Sequence, residues 1–387
     1  MSQTKAQLVS GTTAQDLTVD NINTTSINSG QTSGRKNLII NGSMQVSQRG
    51  TSFSGTAQQY TLDRMQMNTA GNDEIAQTEQ AAVTSGGAYT AGFRKCMKII
   101  NGNQTGGAGA ADFIHLKMVL EAQDIANSGW NYTSATNYIT LSFWVKSSVA
   151  QDFPITLRSE DGTRQVYNMT TGSLSADTWT KVTKTIPGNS NLQFDDNNAA
   201  GLTFFINAFA GTDYTTGGLA QNAWSAWSGA KQGDNMTSTW YTTNDATLEI
   251  TGLQLELGST ATDFEHRSFG EEIALCGRYY QKLIDANTKA LGIGLAYNGS
   301  TIQLSFPYPL GKMRTAPSID AVTGADYWRV EGGGVTIQVD GSWIAEHSTD
   351  TQMSFYGVPD ATLSTVGLSH YVRSLNSAAK FAFSAEL

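Results

Sequence analysis

Between residues 207 and 243 the chain gathers the polar-tipped rings Tyr214, Trp224, Trp227, Trp240 and Tyr241 among Asp213, Asn222, Gln232, Asp234 and Asn235. That mixture suits a sugar. The apolar C–H face of a pyranose stacks on indole or phenol, while its hydroxyls need amide and carboxylate partners. The segment is also too long and too rich in glycine for an ordinary hairpin. We take Tyr214, Trp224, Trp227, Trp240, Tyr241, Asp234 and Asn235 as candidate glycan-binding residues, against the competing reading that some of these rings only cap a sandwich or seal contacts between copies.

Groups for catalysis are sparse. The histidines His115, His266, His347 and His370 are scattered and form neither HExxH nor an i, i+4 metal pair, and no GxSxG elbow occurs. His266 stands in DFEHRSFGEE, residues 263–272, where Asp263, Glu265, His266 and Arg267 read as a surface or interdomain hydrogen-bond network. Glu160 with Asp161 and Asp195 with Asp196 are adjacent carboxylates, which a glycosidase could use only if they converged on one bond. Neighbours on a strand point to opposite faces. No catalytic residue is assigned, and no short internal repeat of the parallel β-helix kind is visible. Trp144 and Trp179 read as packing residues, Trp328 and Trp343 as core next to turns, and the glycines 332–334 as a hairpin turn.

The elements that would hold these residues follow from composition and pattern. Of 387 residues, 39% are hydrophobic and only 15% charged, so the exterior is covered largely by Asn, Gln, Ser, Thr and Gly. Such a surface favours close uncharged contact with sugars or with copies of itself. With 24 Lys and Arg against 33 Asp and Glu, and no dense basic run, nucleic acid is a poor partner. No stretch approaches the roughly 20 apolar residues of a membrane span, and the N-terminus lacks a signal-peptide core, so the chain is expected to be soluble and made in a cytosol. Cys96 and Cys276, far apart and outside any CxxC, are expected as buried free thiols.

Residues 1–36 are polar and short-sided and read as an extended stem that orders only against copies or a partner. From 37 to 268 short strands alternate with Gly, Asn, Asp and Ser clusters, among them 38–40, 93–100, 113–120, 138–145, 155–157, 180–186, 202–209 and 247–257. In 138–145, Ile139, Leu141, Phe143 and Val145 fall on one face and Tyr138, Thr140, Ser142 and Trp144 on the other. Eight or more such strands predict two antiparallel sheets in a jelly roll. Helical spacing appears over 269–283 behind Glu271 and Glu272, giving a linking helix assigned to 269–289. Strand patterning returns over 290–387. The fold class is therefore all-β: a jelly-roll β-sandwich with an extended N-terminal stem, one linking helix and a smaller C-terminal β domain.

Several phrases resemble a pattern in fibre and appendage proteins of tailed bacteriophages. They are NLIINGSMQVSQRG (37–50) with YTLDRM (60–65), LSFWVKSS (141–148) with FPITLRSEDG and DTWTKVTKTIPG (177–188), ITGLQLELGSTATDFEHRSFGEEIALCGRYYQK (250–282) and FPYPLGKMRTAPSI (306–319). The resemblance implies a carbohydrate-binding-module-like jelly roll, homotrimeric, carried on virions assembled in the bacterial cytoplasm and used to contact host surface glycans. The stem would attach to other virion proteins. Met65 stands where the pattern usually has Trp. No cofactor is expected. Related jelly rolls often hold a structural calcium, but no residues here fix its ligands. The leading function is a tail-fibre or receptor-binding protein. The alternatives are a capsid-decoration or tail-collar protein without receptor binding, and, lower, a glycan hydrolase.

Overall fold

The computed structural model describes residues 35–55, 57–233, 236–363 and 365–387, with the backbone of two short paired strands, Ser26–Ile27 and Gly30–Gln31. The rest of the expected stem lies outside the described residues.

The alternation in Tyr138–Ser147 sets the first sandwich. Ile139, Leu141, Phe143 and Val145 are buried on its inner face, and the strand is flanked by Thr180–Pro187 and Thr247–Leu257. Lys95–Ile100, Gln77–Ala82 and Ser52–Phe53 extend this sheet to six strands. Against it packs a seven-stranded sheet in the order Trp224–Ala226, Gln165–Thr170, Pro154–Ser159, Ala200–Ala210, Phe113–Glu121, Gln66–Ala70, Gln58–Tyr60. Both sheets are antiparallel, and one apolar core fills the space between them. Each fully buried Leu, Ile or Phe there contributes about 1.5–3 kcal/mol. The molecule is an all-β jelly-roll sandwich.

Two expectations need correction. Residues 38–40 form no strand: Asn37 and Leu38 hydrogen-bond the end of Thr247–Leu257, Leu38 through its amide to the Leu255 carbonyl at 2.9 Å, and the chain then turns away. The linking helix spans only Phe269–Gly277, opened by a capping box between Ser268 and Glu271. Its apparent continuation was the apolar content of the next strand, Tyr280–Ile284, whose backbone pairs with Phe381–Ser384 instead of coiling on.

That strand joins a second core. Phe381–Ser384 lies between Tyr280–Ile284 and Ser318–Ala321, and a second seven-stranded sheet runs Val335–Gln338, Trp328–Gly332, Ser369–Ser374, Ala290–Asn298, Thr301–Pro307, Gln352–Gly357, Ile344–Ala345. Trp328 and Trp343 meet edge to face at 5.9 Å inside this core, as expected for residues next to turns, and glycines 332–334 make the hairpin.

The two bodies are stitched by charge and rings. Glu121 accepts from the Arg278 guanidinium at 2.6 and 2.7 Å and from the Tyr279 hydroxyl. Burial alone would raise this carboxyl, but those bonds outweigh it and hold Glu121 below the usual range. Glu386 pairs with Arg49 and Arg64.

Candidate functional site

The outer face of the six-stranded sheet carries a broad hollow. Its floor is the outward row of Tyr138–Ser147, where Ser142 and Trp144 alternate with core residues, and Lys181 is the cross-strand neighbour of Trp144. The register of Thr247–Leu257 slips between Thr251 and Gln254, and Gly252 sits in that bulge at φ +66. A Cβ there would stand 2.6 Å from the Phe93 ring, so glycine both permits the backbone turn and lets Phe93 lie on the sheet.

Phe93 collects Phe264 at 4.9 Å and His266 at 5.2 Å between ring centroids, and this trio forms one wall. The segment bearing Phe264 and His266 is pinned. Glu265 accepts from the amides of Lys36 and Asn37 and from Arg267, while Arg267 also reaches Glu272. Burial would raise Glu265, but the two amides and then Arg267 hold it below the usual carboxylate range. The network expected around 263–267 forms through Glu265, Arg267 and the Asp263 backbone carbonyl, which accepts from Lys36 and Gln254, while His266 joins the ring cluster and contacts the Ala91 carbonyl at 3.3 Å.

The short helix Gly86–Thr90 lies on the floor beside that cluster and brings Thr90 to the rim. A Cβ on Gly87 would come within 2.4 Å of the Trp144 ring and one on Gly86 within 3.0 Å of Trp179, so these glycines let the turn lie directly on both indoles. Over this floor lies a cavity of about 500 Å³ lined by Trp144, Ser142, Lys181, Thr262, Asp263 and His266. A second, of about 350 Å³, shares Gly92, Phe93 and His266 and continues past Arg94, Lys95 and Phe269. Together they make an open groove with a half-buried indole on its floor and hydroxyl and charged groups around it.

The outer face of the seven-stranded sheet presents a different row. Trp227 lies against Arg158 and Arg164, with centroid distances of 5.0 and 5.6 Å, and Arg158 also covers Phe205. Phe205 meets His115, which stacks on Phe113, which in turn meets Tyr214. Burial, followed by the positive charges of Lys117 and Arg158, pushes His115 down to about 3. It is a neutral packing group that contacts the Asn68 amide at 3.2 Å.

The predicted glycan residues are thus dispersed. Tyr214 and Trp227 are half-buried on this second face. Trp224 is turned to packing: its indole N–H donates to the Pro187 carbonyl at 2.7 Å and its ring rests on Tyr167. Trp240 and Tyr241 are core residues, 0% and 1% exposed, and have no surface to offer a sugar. The short helix Thr239–Thr242 drives both rings under the sandwich, where Tyr241 stacks on Phe209 at 4.1 Å and Trp240 donates to the Thr247 carbonyl. Asp234 and Asn235 lie outside the described residues. Of the groove residues, Trp144 is marked by period two as outward-facing and read as packing, and it does pack, against Val83, Ala88, Phe93 and Cys96, while also lining the groove. Phe93, Phe264, Lys181 and His266 come together only through tertiary contacts.

The adjacent carboxylates have partners of their own. Glu160 is held by Arg158, Arg164 and the Thr203 hydroxyl, Asp161 accepts the Asp195 amide, and Asp196 accepts from Asn127. Among the described residues no three His, Cys, Asp or Glu side chains are grouped to hold a metal ion.

No protein-family profile matches the chain, and no curated protein matches it by sequence. In structure it is similar to the enzymatically active domain of tailspike protein 4 of bacteriophage CBA120, at 10% identity over 57% of this chain and 21% of that one, with a TM-score of 0.32. It is similar to the family 11 carbohydrate-binding module of Clostridium thermocellum in complex with a β-1,3-1,4-mixed-linked tetrasaccharide, at 13% identity over 56% and 98%, with a TM-score of 0.24. A tandem of CBM22 modules from Paenibacillus barcinonensis matches at 9% identity over 83% and 93%, with a TM-score of 0.25. The chain spans about a fifth of the tailspike domain's length.

Proposed function

We propose that this protein is a non-enzymatic phage virion protein of the tail-fibre or receptor-binding type that attaches to host surface glycans through the groove beside Trp144. One observation carries the reading. A half-buried indole lies on the floor of an open groove, with hydroxyl and charged side chains at its rim, which is the arrangement a pyranose needs for stacking and hydrogen bonding. The phrases shared with phage fibre proteins supply the virion setting: a homotrimer, assembled in the bacterial cytoplasm, whose first 36 residues join it to other virion proteins. Hydrolysis is disfavoured because Glu160 is engaged by two arginines.

A second reading, an architectural decoration or collar protein, is favoured by one feature. Ile293, Leu295, Tyr297 and Tyr371 stand exposed together on one face of the C-terminal sheet, a surface suited to another protein. Adsorption separates the two readings. The purified protein should bind host cells and compete with phage for them, and Trp144→Ala, confirmed as folded by its unfolding transition, should be weakened in both. A wild-type protein that neither binds cells nor blocks infection would leave the architectural reading standing.

A further inference from the structure

Resting on that assignment of the groove, we infer that its ligand is an acidic glycan, a polysaccharide whose sugars carry fixed negative charge. The chain has a net charge of −9, yet the groove wall is cationic. Lys181 stands beside Trp144, and Arg94 and Lys95 line the adjoining cavity. Asp263 is the one carboxylate among the lining residues, so three cations face one anion before His266 is counted.

These cations differ from their neighbours on the same face. Lys98 is paired with Glu79 at 2.9 Å and Lys146 with Glu249 at 2.8 Å, which neutralises the row immediately beyond the groove. Lys181, Arg94 and Lys95 form no ion pair among the described residues. Arg94 is instead aimed by its own loop, donating to the Phe93 and Tyr89 carbonyls and lying 3.9 Å over the Tyr89 ring. An unpaired cation at the rim of a ring-floored groove can form charge-assisted bonds to a sugar carboxylate or phosphate while the indole takes the ring face. A neutral sugar would leave this charge unused.

The test compares retention of the full chain by two sets of immobilised polysaccharides, at low and high salt. The acidic set is polygalacturonate, alginate and a phosphomannan, which separates carboxylate from phosphate; the neutral set is dextran, pullulan and galactomannan. Acidic polymers should be retained more strongly, with binding falling steeply as salt rises. Lys181→Gln and Arg94→Gln should each weaken that binding about two- to fivefold, as expected for exposed charge pairs. Lys289→Gln, in the C-terminal domain, should change nothing. Trp144→Ala should weaken retention of every polymer about three- to tenfold. Equal retention of neutral polymers, or binding indifferent to salt and to both substitutions, overturns the acidic assignment and leaves glycan binding intact. Retention of neither set overturns both.

Discussion

The guanidinium of Arg64 sits over the ring of Tyr279, 3.4 Å from its centroid, while the same group pairs with Glu386. Arg64 belongs to the jelly roll, Tyr279 follows the capped helix and Glu386 follows the last strand, so one cation gathers three remote parts of the chain. The side chains of Arg64 and Glu386 are 3% and 5% exposed. Removing one partner strands the other charge away from water, which costs about 3–5 kcal/mol. Glu386→Ala should lower the denaturant midpoint accordingly, and a double-mutant cycle with Arg64→Met should return a large coupling energy. Additive losses would mean the pair is not coupled.

The floor of the groove depends on a glycine. Gly87→Val places atoms where the Trp144 ring lies, so the indole must swing from its position. Stacking on such a ring is worth about 0.5–1.5 kcal/mol, so polysaccharide affinity should drop about three- to tenfold. Affinity measured by titration beside an unfolding curve checks this. A loss of stability equal to the loss of binding would point to damage of the fold instead.

Gly252 makes a separate claim on the backbone. At φ +66, with Phe93 packed against it, Gly252→Ala meets both a strained conformation and a close ring. The substitution should destabilise by more than about 1 kcal/mol. Equilibrium unfolding in urea would show it, and an unchanged midpoint would mean the bulge tolerates a side chain.

His115 supplies a pH signature. In the folded protein burial, then Lys117 and Arg158, hold it down to about 3, whereas unfolded it takes up a proton below about 6.5. Between those values the unfolded state binds more protons, so this group lowers stability as pH falls from about 6.5 toward 3 and has no effect above 6.5. His115→Gln should remove about one proton from the slope of unfolding free energy against pH in that window. Parallel slopes for the two proteins would refute it.

Both thiols should be silent in the native state. Cys96 is pushed up to about 12 by burial and then by the Glu249 carboxylate, and Cys276 well above its ordinary value by burial and then Asp63. Each is fully buried and free. A thiol reagent at neutral pH should label neither until denaturant is added, and then both. Labelling of the native protein would contradict this placement.

How far the sequence could be read depended on the range of the forces involved. Period two in Tyr138–Ser147 reports directly which side faces the core, because burial of one face dictates alternation. Strands such as Gln66–Ala70 and Gln77–Ala82 were passed over: their polar residues are accommodated by sheet pairing and by hydrogen bonds that alternation does not record. The aromatic segment pointed to the wrong rings for a similar reason. Composition could not distinguish Trp227, on an outer face beside two arginines, from Trp240, driven inward by a single helical turn. The groove is assembled from residues 86–95, 142–144, 181 and 252–269, which share no local pattern. Only the bulge at Gly252 and the outward phase of Trp144 left traces in the sequence.

The 322 positions between Arg64 and Glu386 also govern when the molecule can lock. During synthesis the jelly roll can collapse on its own strands, but it must do so with Arg64 and Arg49 still lacking their common counter-ion. A nascent chain halted before residue 386 should therefore be easier for protease to open than the same jelly roll in the finished protein, which makes the last strand's arrival a checkpoint between a provisional fold and a durable one.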